Sequence, residues 1–152
     1  MADLQAVQLA LDAYHNTYRH PELSRLQLSK PYALFPDAPS RFELSGQWPD
    51  DYWPNVNSPG VYLIFDATLD LLYIGKTSLD FGSRLAEYFQ YEKSSRRCKI
   101  VEPEQWKAGP PAYVSTVPVQ APFEAASLEE YLIQELCPSD NSVGKRKAVK
   151  TG

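Results

Sequence analysis

Two short β-forming segments joined by a five-residue loop constrain the fold of this chain more than any other feature. The segments span 61–65 and 71–74, and residues 66–70 between them have the length and composition of a hairpin loop. Strands joined by so short a loop pair antiparallel. We therefore predict a hairpin that holds two phenols, Tyr62 and Tyr73, near one another at one edge of a small sheet, where they can orient a water and hold a phosphate.

The region before the hairpin divides into a helix and an irregular segment. Apolar residues recur at three- and four-residue steps over 4–18, and Asp3 suits the positive end of the resulting helix dipole. Frequent prolines over 21–59 predict an irregular wrapped segment with one short helix over 23–28. The aromatic residues expected to pack on the following domain are Trp48, Tyr52 and Trp53.

The region after the hairpin alternates between helical and strand-like patterns. N-cap candidates at the start of 77–90 predict a helix that runs to its end, and 123–136 has a second apolar helical stripe. Alternation over 112–119 predicts a third strand. Between them, 91–111 is polar and punctuated by proline, with a short helical turn expected over 103–107.

Composition favours one folded domain. The chain has 152 residues, of which 43% are apolar, and this is enough for a hydrophobic core. It contains neither a membrane-length apolar run nor a secretory signal, so we expect a soluble cytoplasmic protein. Cys98 and Cys137 are too few for a disulfide framework or a Cys-x-x-Cys metal site, and His15 and His20 lie far from both.

The charge is unevenly distributed along the chain. The net charge is −4, of which residues 1–58, with seven acids and four bases, contribute −3. Basic residues cluster in the remainder, and such clusters are typical of either a solvated loop or the edge of a phosphate-binding groove. One cluster, a candidate nucleic-acid-binding set, consists of Arg96, Arg97 and Lys99, and the other of Lys145, Arg146, Lys147 and Lys150.

Five motifs occur in a fixed order over the second half of the chain. They are Gly60-Val61-Tyr62, Leu72-Tyr73-Ile74-Gly75-Lys76-Thr77, Ser83-Arg84-Leu85 with Tyr88-Phe89, Glu124-Ala125 with Leu128-Glu129 and Leu132-Ile133, and Pro138 with Asn141. Together they resemble the GIY-YIG nuclease superfamily, and in motif detail the UvrC-type N-terminal nuclease module of bacterial excision repair. The resemblance covers about residues 59–144.

The resemblance implies an α+β fold with a small three-stranded antiparallel sheet flanked by helices. In this interpretation 59–144 is the nuclease domain, and 1–58 is a helical and proline-rich extension packed on it. Residues 145–152 form a basic tail.

The resemblance also implies roles in phosphodiester hydrolysis. Tyr62 would hold or deprotonate the attacking water with help from Lys76, because an unperturbed phenol has a pKa near 10. Tyr73 would orient the water or bind a phosphate oxygen, and Arg84 would donate to the non-bridging oxygens as negative charge develops.

One carboxylate is implied as the metal ligand. Glu129 would bind Mg²⁺ or Mn²⁺, hard cations that complete their shell with water and phosphate. Asn141 would support the site by hydrogen bonding. Tyr88 stands where many relatives carry His, which removes one candidate acid or base.

The leading hypothesis is therefore a metal-dependent endonuclease acting on DNA, with RNA left open as a substrate and no membrane partner. One such site cuts one strand per encounter, so cutting both strands would need a homodimer or two visits. Two alternatives stay open: a nucleic-acid-binding module without turnover, and a protein-interaction domain that uses the aromatic residues of the extension.

Overall fold

The fold is described from a computed structural model, which covers residues 2–35, 44, 46–48, 55–95 and 97–141. In the described residues, helices pack on one face of a sheet, and a layer of one short helix, a two-stranded hairpin and loops packs on the other face. In chain order the elements are α1 (Leu4–Tyr18), β1 (Tyr32–Ala33), β2 (Gly46–Gln47), β3 (Gly60–Phe65), β4 (Leu71–Thr77), α2 (Phe81–Ala86), β5 (Phe89–Glu92), β6 (Arg97–Ile100), a 3₁₀ turn (Pro103–Gln105), β7 (Tyr113–Pro118) and α3 (Glu124–Leu136).

The main sheet has the strand order β2-β1-β7-β3-β4. The predicted hairpin is confirmed: β3 pairs antiparallel with β4 on one side and with β7 on the other. The α+β class is confirmed as well, but the prediction of a three-stranded sheet is wrong, because the sheet has five strands. The two additional strands come from the N-terminal extension, where β1 pairs antiparallel with β7 and β2 pairs parallel with β1.

The two faces of the sheet are buried by different elements. Aliphatic side chains of β3 and β7, such as Leu63 and Val117, pack on one face against α1 and α3. Tyr62 and Ile64 lie on the opposite face, in a second core with Phe81 of α2. Both faces therefore exclude water, which explains why β3 is apolar along its whole length.

The long helices agree with the apolar periodicity. The Asp3 side chain accepts a hydrogen bond from the Ala6 amide at 2.9 Å and caps α1. Helix α3 ends at Cys137, which adopts a left-handed conformation with φ of 47° before Pro138. None of the described helices is long and apolar enough to cross a membrane.

Two helical predictions are wrong. Helix α2 ends at Ala86 rather than at Gln90, because Phe89 is fully buried in the second core and begins β5. Strands β5 and β6 form an antiparallel hairpin in a region predicted to be irregular. The expected helix over 23–28 does not form; after it, the Ser29 amide donates to the Thr116 carbonyl. The short turn near 103–107 is confirmed by the 3₁₀ turn.

The outer edge of β4 is covered by the residues that follow α3. The Asp140 amide donates to the Leu72 carbonyl at 2.8 Å. The Asn141 side chain accepts from the Ile74 amide at 2.9 Å and donates to the Ile74 carbonyl at 3.0 Å. These bonds satisfy edge groups of β4 and hold this strand in place.

Candidate active site

The site begins with a close approach between β3 and β4. Tyr62 pairs in register with Gly75, and its phenol ring lies directly over the glycine. A Cβ atom at Gly75 would overlap the phenol, so no larger residue fits there. The glycine of the second motif therefore sets the position of the tyrosine of the first.

Three phenols form a hydrogen-bonded chain on this face of the sheet. The Tyr62 hydroxyl donates to the Tyr88 hydroxyl at 3.1 Å, and Tyr88 donates to Tyr73 at 3.4 Å. Tyr62 is fully buried, whereas Tyr88 and Tyr73 are half-buried. The chain therefore runs from the core towards the surface, and the Tyr73 proton is directed to no other described residue.

Arg84 of α2 contacts Tyr62, the buried end of the phenol chain. Its Nε donates to the Tyr62 hydroxyl at 3.4 Å, and its Nη1 pairs with Glu87 at 2.6 Å. Its guanidinium carbon lies 5.7 Å from the centre of the Tyr88 ring. The hydrogen bond to Tyr62 raises the pKa of Arg84, which therefore stays charged. Nη2 has no hydrogen bond to a described residue.

Tyr62 and Tyr73 are held in their protonated form. Burial raises the pKa of Tyr62, and the charge and hydrogen bond of Tyr88 act in the same direction. Burial likewise raises the pKa of Tyr73, with a further contribution from its hydrogen bond to Tyr88. At neutral pH these groups are hydrogen-bond donors rather than bases.

The Glu129 carboxylate interacts electrostatically with this cluster. It lies half-buried on α3, the helix that packs along β4. Burial raises the pKa of its carboxyl group, and the positive charges of Lys76 and Arg84 oppose this rise. The negative charge of Glu129 contributes to the raised pKa of Tyr73. Electrostatic interactions therefore connect four of the predicted site residues, Tyr73, Lys76, Arg84 and Glu129.

Neither Glu129 nor Lys76 makes a hydrogen bond or ion pair with another residue in the described ranges. A half-buried carboxylate in this condition has oxygen lone pairs available for a cation. The described residues contain no group of three or more His, Cys, Asp or Glu side chains suited to a metal. A divalent cation held by Glu129 would have to take most of its ligands from water and phosphate, as Mg²⁺ commonly does.

Asn141 serves the site through the backbone. Both ends of its side-chain amide bond to Ile74, between the site residues Tyr73 and Gly75. It is 8% exposed and does not reach the phenol chain through a described contact. Its place in the structure is that of a positioning residue.

Two residues of the predicted basic cluster, Arg97 and Lys99, lie on β6. Arg97 and Lys99 are exposed on the face of β6 opposite the buried Cys98, and the Arg97 guanidinium lies over the Phe35 ring at 5.5 Å. No described contact joins them to the phenol chain. Arg96 and the basic tail 145–152 lie outside the described residues.

Tyr88 is the residue that sequence reasoning undervalued. It is not among the predicted catalytic residues, yet it links Tyr62 to Tyr73 and also packs against Trp106, with ring centres 6.3 Å apart. The four-residue spacing of Arg84 and Tyr88 predicts that both face one site, and the contact between the Arg84 guanidinium and the Tyr88 ring agrees with it.

The fold and this cluster define a GIY-YIG domain. A family model described as "UvrC-like GIY-YIG domain" matches residues 58–142, more than half of the chain, which therefore belongs to this family. The chain is similar to UvrABC system protein C of Nitrosomonas europaea, at 32% identity over 83 residues. It is also similar to the protein of the same name from Nitrosomonas eutropha, at 31% identity over 85 residues.

The matched segments cover 55% and 56% of this chain but only 13% of each relative. This chain therefore corresponds to a small part of the curated relatives that it matches. No solved structure matches it.

Proposed function

We propose that this protein is an endonuclease that hydrolyses phosphodiester bonds in DNA. The observation that carries the proposal is Glu129, a half-buried carboxylate of α3 without a hydrogen-bond or ion-pair partner among the described residues, whose carboxyl group is influenced by the charges of Lys76 and Arg84. The family assignment supports the same function, because the domain belongs to a nuclease family.

Two kinds of residue would contribute: cations that stabilise negative charge on the phosphate, and tyrosines that orient the reacting groups. Arg84 and Lys76 would bind the non-bridging oxygens of the scissile phosphate, where negative charge develops as the water attacks. The Tyr73 hydroxyl would orient that water or a phosphate oxygen, since its proton has no other described acceptor. Tyr62 and Tyr88 would align Tyr73 and Arg84 through their hydrogen bonds.

The reaction requires one water for each bond broken. The water oxygen bonds to phosphorus, the bond from phosphorus to the 3′ oxygen breaks, and that oxygen takes up a proton. A divalent cation bound at Glu129 would supply Lewis-acid stabilisation of the phosphate. Because one such centre handles one phosphodiester at a time, we expect nicking rather than double-strand cleavage.

The test is the conversion of supercoiled plasmid to nicked circles in the presence of Mg²⁺, Mn²⁺ or EDTA. We expect Glu129→Gln to lower the nicking rate by about 100-fold or more, as for loss of a principal electrostatic group in an active site. Glu130→Gln is the matched control, because this neighbouring carboxylate is exposed and should be dispensable.

Two results would overturn the proposal. Metal-dependent nicking that persists in Glu129→Gln would remove Glu129 from the mechanism. Wild-type protein that retards DNA in a gel but never nicks it would instead identify a binding module without turnover.

A further inference from the structure

A cleft of about 610 Å³ opens beside the phenol chain. Tyr73 belongs to both, because it is the last member of the phenol chain and also lines the cleft. The cleft has the volume of a site for a small ligand, which is typically about 300–1,000 Å³. The other residues that line it are Gln105, Lys107, Ala108, Ser139, Asp140 and Asn141.

The walls of the cleft are held together by Asp140. Its Oδ1 accepts hydrogen bonds from the backbone amides of Lys107 and Ala108 at 3.1 and 3.3 Å. Its own amide bonds to Leu72 of β4. The loop after the 3₁₀ turn is thus fixed to the sheet, and the cleft is preformed.

The described lining contains one basic and one acidic residue, Lys107 and Asp140. The Asp140 carboxylate is engaged by the loop, because its Oδ1 accepts from the Lys107 and Ala108 amides, and its Oδ2 is buried. The available groups are the Tyr73 hydroxyl, the Gln105 amide and the Lys107 ammonium. These three groups are suited to binding one phosphate group and the polar edge of one base. A duplex backbone, in contrast, requires several cations.

We propose that this cleft binds one nucleotide of a single DNA strand next to the scissile phosphate. Lys107 contacts the backbone phosphate of that nucleotide, and Gln105 contacts its base. This inference rests on the proposed function, since Tyr73 is the boundary between the cleft and the reacting phosphate. It predicts that a frayed or single-stranded segment is bound better than a continuous duplex.

The test measures the salt dependence of binding in a Glu129→Gln background, which separates binding from cleavage. The affinity for a short single-stranded oligonucleotide is measured by fluorescence anisotropy over a series of salt concentrations. The logarithm of the association constant falls linearly with the logarithm of the salt concentration. Loss of one phosphate contact reduces the steepness of this fall by about 0.7 for a single strand. We expect this decrease for Lys107→Ala.

Matched variants sharpen the result. Lys93→Ala, in the exposed β5–β6 turn, should leave the slope unchanged, and Lys107→Arg should restore it. Gln105→Ala should keep the slope but reduce discrimination among bases in the oligonucleotide.

The two proposals fail separately. If Lys107→Ala gives the same slope as Lys93→Ala, the cleft proposal is wrong, even when the plasmid assay shows metal-dependent nicking. If wild-type protein does not nick but Lys107→Ala still lowers the slope, the proposed nuclease function fails and the nucleotide site stands.

Discussion

Helix α3 carries two partly buried carboxylates with opposite surroundings. Glu124, in its first turn, forms a two-pronged ion pair with Arg19, the residue that caps the end of α1, at 2.9 and 3.1 Å. Glu129, further along the same helix, has no described hydrogen-bond or ion-pair partner despite two nearby cations. The difference separates two uses of a carboxylate: Glu124 joins elements of the fold, and Glu129 is the one that we propose binds a ligand.

The comparison also shows how the N-terminal extension supports the domain. The Arg19 and Glu124 side chains are only 7% and 15% exposed. Tyr14 of α1 adds hydrogen bonds to Glu124 and Ser127. The extension thus holds α3, and with it Glu129, against the sheet.

The largest expected effect on stability comes from breaking the ion pair at Glu124. Glu124→Ala leaves the Arg19 charge buried without its partner, which should lower the free energy of unfolding by about 3–5 kcal/mol. Urea denaturation measures this loss, and the nicking rate per folded molecule should be unchanged. Adding Arg19→Met should recover part of the stability. If the nicking rate of Glu124→Ala falls as far as that of Glu129→Gln, Glu124 belongs to the active site, and the two carboxylates do not differ in use as we infer.

A smaller effect is expected from two tyrosines, one beside each carboxylate. Tyr73→Phe removes the outermost hydroxyl of the phenol chain and should lower the nicking rate by about ten- to a hundredfold, at or below the loss typical of one transition-state donor. Tyr14→Phe removes a bond to Glu124 and should instead cost about 1 kcal/mol of stability without slowing nicking. Parallel rate assays and thermal melts compare them, and equal rates for the two variants would argue against a role for Tyr73.

The smallest effect is on the pH dependence of stability without metal. Burial raises the pKa of Glu129 above 4.5, so folding favours its protonated form. This contribution is present at low pH and is lost as the pH rises through the raised pKa. Glu129→Gln should therefore gain stability over wild type progressively above pH 4.5, as measured by urea denaturation in EDTA. Glu130→Gln is the control, and a gain of the same size there would show that the effect is not specific to Glu129.

Elements with long periodic patterns were predictable from the sequence, whereas short ones were not. Helices α1 and α3 follow from apolar spacing, and the β3–β4 hairpin follows from two β-forming segments and the short loop between them. Strands β1 and β2 have two residues each and depend on tertiary pairing, of β1 with β7 and of β2 with β1. Likewise, β5 begins where Phe89 enters the second core, a tertiary contact that overrides the local helical pattern.

The composition of the candidate site was partly predictable. Spacing to Leu132-Ile133 and Pro138 in the family pattern favours Glu129 over the adjacent Glu130 as the metal ligand; in the structure Glu129 is half-buried and Glu130 is exposed. The sequence did not reveal that Tyr62 is fully buried while Tyr73 reaches the cleft, because this depends on the packing of Tyr62 over Gly75. The catalytic roles of these residues stay predictions.

The Asn141 amide has a consequence for association with other chains. By bonding to both the amide and the carbonyl of Ile74, it takes the place that a peptide group of an added strand would occupy. An exposed sheet edge is a template for aggregation or domain swapping, and this edge borders the candidate site. The side chain that orders β4 thus also protects it from intermolecular strand pairing.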